Sequence, residues 1–515
     1  MNGGTVLLAG PPGSGKSTVG RAVAERRDAP FVDLDDLIEA RAGSPPAEIL
    51  EGQGEARFRA LEAEALEAIE APAVIALGGG ALTTERGREL ARRLGPVVRL
   101  DVEVAELQRR VDAQGQARPL LEGGFEKLLQ DRARSYAAVD VFVDGHGAPD
   151  EVASRVDARS ANLRTVTSRF LDDETRILVG RGLEDAVAGA VQHLRPGRPV
   201  LLVADAGVPR ERRASLATKL ASAHPLHVES VPGGEAVKDW SVLGGILDRA
   251  LKAGCGRQSV VVGLGGGAVC DLANLVAHLL GRGAASVLVP TTLLSQVDAS
   301  VGGKCAVNHA EQRNSIGAFH APRDVITDLE LLESLAPEDY RAGIAEVLKM
   351  GLIGDETLFA ALERGDRPSV GMVARAVELK AQVVAEDPRE YGLRKVLNLG
   401  HTLGHALEAA SGFSLRHGEA VGMGLVASAR ASVRAGYAAP EVAERVEAAV
   451  ERWQLPTRPS RTLLAEAGRH FGADKKSDAH AIDWVAIRQV GEVSIERMSL
   501  DDVRATLVEY GERDA

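Results

Sequence analysis

The sequence predicts an α/β protein in two parts: a unit built on a parallel sheet, then a second α/β subdomain that gives way to an α-helical one. Three observations carry this. Short, wholly apolar runs alternate with helical patterns in the first part, and the same alternation restarts near Arg176. Beyond about Leu329 the pattern becomes long amphipathic helix, with His and Glu among the apolar positions.

In the first part, Val6 to Leu8 reads as a strand, Gly10 to Thr18 as a glycine loop, and Val19, Val23 and Ala24 as the apolar face of a helix. Further buried strands are expected at Pro30 to Val32, Ala73 to Leu77, Val97 to Leu100 and Val139 to Val143. The unit ends near Pro149, so a first domain is expected over residues 1–155. From 156 to 173 the pattern is polar and mixed, which predicts a linker. Strands at Arg176 to Val179, Val200 to Ala204, Ser259 to Gly263 and Ser286 to Pro290 place an α/β subdomain at 174–328, and the helical subdomain follows at 329–515. No fixed-period repeat interrupts this order.

A length of 515 residues exceeds one ordinary core and suits three or four domains of roughly 100 to 200 residues. The aromatic share is only 3%, so the cores must be aliphatic. A net charge of −12 without a long Lys/Arg run argues against a nucleic-acid or anionic-membrane binder and favours a small diffusible substrate. No apolar stretch approaches the roughly 20 residues that cross a bilayer, and Thr5 to Ala9 runs into the glycine loop rather than a cleavage site, so a cytoplasmic location is expected. Cys255, Cys270 and Cys305 are odd in number and lack CxxC spacing, so neither a disulfide framework nor a thiolate zinc site is supported and they are expected to be small buried residues.

Gly10-Pro11-Pro12-Gly13-Ser14-Gly15-Lys16-Ser17-Thr18 is a complete GxxxxGK[ST] loop between a strand and a helix. Its glycines let backbone N–H groups turn toward phosphate oxygens, Lys16 reaches the β/γ-phosphates, and Ser17 can hold Mg²⁺. ATP would therefore rest on Gly13, Ser14, Gly15, Lys16, Ser17 and Thr18.

The loop leaves the phosphate acceptor open. Asp33 and Asp35 follow the second strand, Arg59 lies in Gly-Glu-Ala-Arg-Phe-Arg, and Gly78-Gly79-Gly80 follows a third strand. Arg118-Pro119-Leu120-Leu121 comes later, and Arg132 stands four residues before Tyr136. In this order the residues resemble shikimate kinase, a P-loop kinase family, over essentially residues 1–155; gluconate kinases share the loop and the acceptor class. The resemblance implies that Asp35 contacts the acceptor hydroxyl and that Asp33 helps Ser17 hold Mg²⁺. It implies further that Arg59 and Arg132 clamp the shikimate carboxylate, that Gly78, Gly79 and Gly80 approach the ring, and that Arg118 arrives on a lid. Lys16, Asp35 and Arg118 would be its catalytic residues.

In the second part, Gly263-Leu264-Gly265-Gly266-Gly267 follows the strand Val260 to Val262 and precedes a helix, which suits a Rossmann-like approach of a dinucleotide to bare backbone. Alone it is a glycine-rich turn of many possible uses. It is accompanied by Pro232-Gly233-Gly234-Glu235-Ala236-Val237-Lys238, by Asp271, by Val289-Pro290-Thr291-Thr292-Leu293-Leu294 and by Gln296 to Lys304. The helical part adds Glu346 with Lys349, His401 with His405, and Arg416-His417-Gly418-Glu419; spacings of three and four put each pair on one helix face.

This series is similar to 3-dehydroquinate synthase, and the resemblance implies NAD⁺ on Asp205, Glu235, Lys238, Gly265, Gly266, Asp271, Thr291 and Thr292. It implies Zn²⁺ or Co²⁺ on Glu346, His401 and His417, a carboxylate and two imidazoles with a position left open. Substrate would meet Asp298, Lys304, Arg313, Asn314, Arg394, Asn398, His405 and Lys476, with Lys349, His405, Lys304 and Glu390 helping to position protons. The implied reaction cyclises 3-deoxy-D-arabino-heptulosonate 7-phosphate to 3-dehydroquinate with loss of phosphate, and a homodimer is implied through this half. Related sugar-phosphate cyclases share the NAD and metal residues, although Arg394, Asn398 and His405 together favour the dehydroquinate type. Arg313, Asn274, Cys270 and Cys305 depart from the usual pattern.

Overall fold

The computed structural model describes residues 4–70, 72–114, 125–137, 139–310, 312–470 and 481–499. The first sheet contains β1 (Val6–Ala9), β2 (Phe31–Asp33), β3 (Val74–Ala76), β4 (Val97–Asp101) and β5 (Val141–Asp144). All of its pairings are parallel, in the order β2-β3-β1-β4-β5. Every residue of β1 is buried because helices cover both faces, which is why the strand is apolar throughout rather than alternating. The helices of this unit are α1 (Lys16–Arg27), α2 (Leu34–Ala42), α3 (Pro46–Glu67), α4 (Glu85–Leu94), α5 (Val104–Gln114), α6 (Phe125–Ala137) and α7 (Pro149–Ser160).

The second sheet holds β6 (Arg164–Phe170), β7 (Asp173–Gly180), β8 (Val200–Asp205), β9 (Leu226–Val231), β10 (Val260–Gly265) and β11 (Ala285–Pro290). A hairpin of β12 (Lys304–His309) and β13 (Gln312–Phe319) stands apart from it, and β14 (Asp324–Asp328) completes it. The order is β6-β7-β14-β11-β10-β8-β9, parallel except for the β6–β7 pair. Helices α8 (Glu184–Leu194), α9 (Arg210–Ala221), α10 (Trp240–Lys252) and α11 (Gly267–Leu279) connect its strands.

The remainder is α12 (Pro337–Gly354), α13 (Glu356–Arg364), α14 (Val370–Glu386), α15 (His401–Ala410), α16 (His417–Arg434), α17 (Pro440–Arg452) and α18 (Arg461–His470). It also contains an antiparallel hairpin, β15 (Ala481–Gln489) with β16 (Glu492–Ser499), inside a stretch whose sequence reads as helical. Trp484, Val485, Ala486 and Ile487 form a continuous buried run in β15, a pattern that period alone cannot tell from a buried helix.

The expected linker at 156–173 is instead ordered secondary structure, the end of α7 followed by β6. Val166, Ser168 and Phe170 are buried while Arg164, Thr167 and Arg169 are exposed. That is the period-two alternation of an edge strand, whose charged outer positions read as polar sequence. Nor are the two halves separated by a gap. A single aliphatic core passes from Val6, Val98 and Val141 through Val152 and Val156 to Leu183, Val187 and Val200. Among the described residues no helix is long and apolar enough to cross a membrane.

Candidate active sites

The first site lies at the carboxyl end of β1, where strand passes into loop and helix. Gly13 and Gly15 take φ of 82° and 91°, and Gly15 is the N-cap of α1, so the loop wraps around the helix N-terminus. Lys16 Nζ donates to the carbonyls of Gly10 and Pro11 at 2.9 and 3.1 Å, which holds its ammonium over the loop. Ser17 and Thr18 are exposed at the mouth, and Ser14 is buried beneath it.

Beside the loop the structure gathers the expected acceptor residues. Asp33 caps α2 by accepting from the Asp35 backbone N–H at 3.2 Å. A Cβ on Gly78 would lie 2.7 Å from Asp35 Oδ1, and one on Gly80 only 2.1 Å from an Arg59 guanidinium nitrogen. Arg132 Nη1 and the Tyr136 hydroxyl both donate to Gly79 O, at 2.8 and 2.9 Å. Arg118 lies outside the described residues.

Glu62 belongs to this site but escapes the motif reading. It receives Arg59 Nη1 at 2.6 Å, while Glu55 takes another Arg59 nitrogen at 2.7 Å. Burial pushes the Glu62 carboxyl up to about 7 against the pull of Arg59. Burial opposes the Arg59 charge as well, and its two carboxylates outweigh that and raise it. The available signal was the three-residue spacing from Arg59, which puts both groups on one face of α3.

The second site has two adjoining clefts. One, of about 730 Å³, is bordered by Asp205, Gly233, Gly234, Glu235, Gly266 and Thr292. A Cβ on Gly233 would lie 2.7 Å from Asp205 Oδ1, so bare backbone faces the carboxylate at the end of β8. Lys238 Nζ contacts Asn314 and lies 2.6 Å from Asp271. Burial raises the Asp271 carboxyl and Lys238 draws it back. Thr291 N–H donates to Gly265 O at 2.9 Å, pinning the end of β11 to the glycine turn.

The other cleft, of about 670 Å³, is lined by Asp298, Lys304, Lys349, Glu390, Arg394 and Asn398 together with His401, His405 and His417. Glu346 Oε1 lies 3.4 Å from His401 Nε2 and 3.2 Å from His417 Nε2. The outer ring nitrogens are committed elsewhere. His401 Nδ1 bonds Leu399 O at 3.1 Å and His417 Nδ1 bonds Glu408 at 3.3 Å; a carbonyl or carboxylate can only accept, so Nδ1 carries the proton in each. Both Nε2 atoms and one carboxylate oxygen therefore converge, a donor set that fits a divalent cation of the zinc type.

Buried charge surrounds this point. Lys349 Nζ is 2.5 Å from Glu346 Oε2 and 3.7 Å from Asp298, and Lys380 Nζ is 2.7 Å from Asp298. Burial opposes the Asp298 charge, yet Lys380 and Lys349 hold its carboxyl down at about 2. Burial likewise works against Lys349, whose ammonium Glu346 and Asp298 nonetheless stabilise. Lys304 contacts Glu390, which also accepts from Asn398 at 3.1 Å, and Arg394 donates to Pro388 O at 2.6 Å.

Arg313 does not line this cleft. Its planar fork spans two carboxylates, Glu235 at 3.1 Å and Glu408 at 3.6 Å, and stacks 4.5 Å from the Phe413 ring centroid. Lys476 lies outside the described residues. Lys380 and Glu408 were missed because neither sits in a glycine or histidine motif; the one trace of Lys380 was a lone cation on the apolar face of α14. Asn274 serves as a buried bridge, donating to His320 O and accepting from Ser286, both at 2.7 Å. The three cysteines are buried and free.

Fold and clefts define a two-site enzyme, with a phosphate-loop transfer site in one half and a dinucleotide- and metal-type site in the other. The comparisons place each half. Residues 228–342 and 343–477 match the family models for the N-terminal and C-terminal regions of 3-dehydroquinate synthase, and residues 12–159 match that for shikimate kinase. The chain is 38% identical over 367 residues to 3-dehydroquinate synthase of Caulobacter vibrioides (strain NA1000 / CB15N), covering 68% of this chain and 99% of that protein. It is 42% identical over 354 residues to the synthase of Nitrobacter winogradskyi (strain ATCC 25391 / DSM 10237 / CIP 104748 / NCIMB 11846 / Nb-255), covering 64% and 91%. The crystal structure of 2-deoxy-scyllo-inosose synthase complexed with carbaglucose-6-phosphate, NAD⁺ and Co²⁺ has the same fold over 67% of this chain and 100% of that one, with a TM-score of 0.60 at 23% identity.

The chain belongs to the 3-dehydroquinate synthase family and carries a shikimate kinase domain ahead of it. It is a bifunctional shikimate-pathway enzyme with both activities.

Proposed function

We propose a division of labour in which the N-terminal site binds ATP on Gly13 to Thr18, with Lys16 at the β/γ-phosphates and Ser17 and Asp33 holding Mg²⁺. Asp35 orients the acceptor hydroxyl, while Arg59 and Arg132 hold the shikimate carboxylate against the Gly78 to Gly80 backbone. Arg118 completes the charge around the transferred group. The closeness of Gly78 to Asp35 and of Gly80 to Arg59 supports this assignment, because only a side-chain-free turn leaves a ring room there.

In the C-terminal site, Asp205, Glu235, Lys238, Gly265, Gly266, Asp271, Thr291 and Thr292 hold NAD⁺, and Glu346, His401 and His417 hold Zn²⁺ or Co²⁺. When bound, the dinucleotide supplies a reversible hydride acceptor and the metal polarises the oxygen being oxidised. Lys304, Arg394, Asn398 and Lys476, joined by Lys380, fix the phosphate and carboxylate of the heptulosonate. Lys349, kept cationic by Glu346 and Asp298, and His405 with Glu390 and Asn314 orient its hydroxyls and move protons. The convergence of both Nε2 atoms on Glu346 Oε1 above a lysine- and arginine-lined cleft carries this reading.

The kinase domain then runs through α7, the synthase begins at β6, and the chain forms a cytoplasmic homodimer through its C-terminal half, which sedimentation checks. Two assays on the full-length chain test the residue roles. Lys16→Ala is expected to abolish ADP formation with shikimate and ATP while sparing phosphate release from the heptulosonate phosphate with NAD⁺ and Zn²⁺; His401→Ala is expected to do the reverse. Loss of both activities in either variant, with the protein folded, would overturn the division.

A further inference from the structure

The contact between the two halves is built from charge as well as apolar surface. Arg92 and Asp140 of the kinase meet Arg176 and Asp324 of the synthase in a buried quartet. Arg176 donates to Asp140 at 2.5 Å and Arg92 to Asp324 at 3.3 Å across the contact, while within each half Arg92 stands 3.9 Å from Asp140 and Arg176 3.6 Å from Asp324. Arg92, Asp140 and Asp324 are 7%, 1% and 1% exposed, so these buried charges are compensated from both halves, with the hydrogen-bonded charged partner in each case coming from the other half. Helix α8 lies directly on kinase backbone, since a Cβ on Gly189 would be 2.1 Å from Val139 O.

The kinase elements that dock are those that carry its acceptor pocket. Asp140 follows α6, whose Arg132 and Tyr136 hold Gly79 O. Arg92 and Arg88 are a turn apart on α4, which starts immediately after the Gly78 to Thr83 turn. Arg88 Nη1 donates to Leu82 O at 3.0 Å and to Thr83 O at 2.9 Å, and the Thr83 hydroxyl donates to Gly80 O at 2.6 Å. The free edge of the same guanidinium, Nε, donates to His193 Nδ1 of α8 at 3.1 Å. His193 and Gly189 are four residues apart, on one face of that helix.

We infer that the synthase half positions the acceptor pocket of the kinase half, with His193 orienting Arg88 and Arg88 in turn fixing the turn that borders shikimate. His193 is a positioning residue here, set on a helix of the other half. An arginine Nε can only donate, so His193 Nδ1 must accept and the ring must stay neutral with its proton on Nε2. Burial among Arg92, Arg88 and Arg176 lowers its pKa to about 2, in keeping with that state. Replacing it leaves an arginine donor unpaired behind the pocket rather than changing any group that touches a substrate.

This inference rests on the kinase reading above, and the two are separable, because the unaltered chain either phosphorylates shikimate or it does not before any variant is made. In the full-length protein, H193L is expected to raise KM for shikimate about fivefold or more, with KM for ATP and the cyclisation rate unchanged. H193Q, whose amide oxygen can accept from Arg88, is expected to restore the normal value. Should H193L fail to fold, R88K reads the same linkage from the kinase side, since one ammonium cannot serve two carbonyls and the imidazole in the same fork geometry. An unchanged shikimate KM in the folded variant, or a parallel rise in both kinase KM values, would overturn the inference.

Discussion

Glu408 Oε2 lies 3.3 Å from His417 Nδ1, on the opposite side of the imidazole from Glu346, whose Oε1 is 3.2 Å from Nε2. One ring is thus held between two carboxylates from different helices. Burial disfavours charge on it, but Glu346 and Glu408 prevail and raise its pKa to about 10, so the two carboxylates together favour positive charge at this ring.

Glu408 is therefore expected to set metal affinity without ligating. Glu408→Ala should weaken Zn²⁺ binding about tenfold to a hundredfold, as loss of a ring-orienting partner does elsewhere. Competition with a chelating dye measures this directly. Kinase activity in the same preparation should be unaltered, and an unaltered zinc affinity would remove Glu408 from the metal site.

The acceptor pocket makes a steric prediction. In Gly80→Ala the added Cβ would fall 2.1 Å from Arg59 Nη1, and Arg59 is 8% exposed and tied to Glu62 and Glu55. It cannot swing into solvent without breaking both pairs. KM for shikimate should rise about tenfold or more while KM for ATP stays fixed, because the guanidinium proposed to grip the carboxylate is displaced and the nucleotide loop is not. Steady-state kinetics with each substrate varied in turn decides it.

Much of this was legible because glycines and histidines at functional turns leave marks in sequence. The loop before Lys16 and the His401/His405 face each came from a spacing that local geometry imposes, and the Gly78 to Gly80 turn from its place in the motif order that resembles shikimate kinase. Residues whose role depends on distant chain left no such mark. Lys380 is visible only once α14 packs beside Asp298, and Glu408 only once α15 meets α16. The segment from Arg164 to Phe170 read as a linker because an edge strand alternates polar and apolar residues over just seven positions, three of them buried. The interface quartet could not be read at all, since its members are 36 to 232 residues apart.

Lys380 carries a stability prediction that follows from its burial. It is 6% exposed and donates to both Oδ1 and the carbonyl of Asp298. Lys380→Met would keep the packing and remove the cation, leaving Asp298 with Lys349 at 3.7 Å as its ion-pair partner among the described residues. Breaking a buried pair from one side costs about 3 kcal/mol or more, and cyclisation should fall as well, because the ammonium lines the cleft proposed for the substrate. Urea unfolding of the synthase half, followed by its tryptophans, reports the first effect; an unchanged midpoint would mean the pair contributes no net stability.

The contact between halves should also depend on pH, with a sign fixed by His193. Its folded-state pKa is lowered to about 2 by burial and by Arg92, Arg88 and Arg176, whereas the unfolded ring titrates near 6.5. Above pH 6.5 the ring is neutral in both states and the contact keeps its full stability. As pH falls below 6.5 the unfolded chain gains a proton that the folded one refuses, so stability is lost by up to about 1.4 kcal/mol per pH unit. His193→Gln cannot take up that proton and should flatten this part of the profile. Urea midpoints for loss of kinase activity at pH 7.5 and 5.5 are expected to separate more in the unaltered chain than in the variant, and equal separations would show that His193 is accessible to protons in the folded protein.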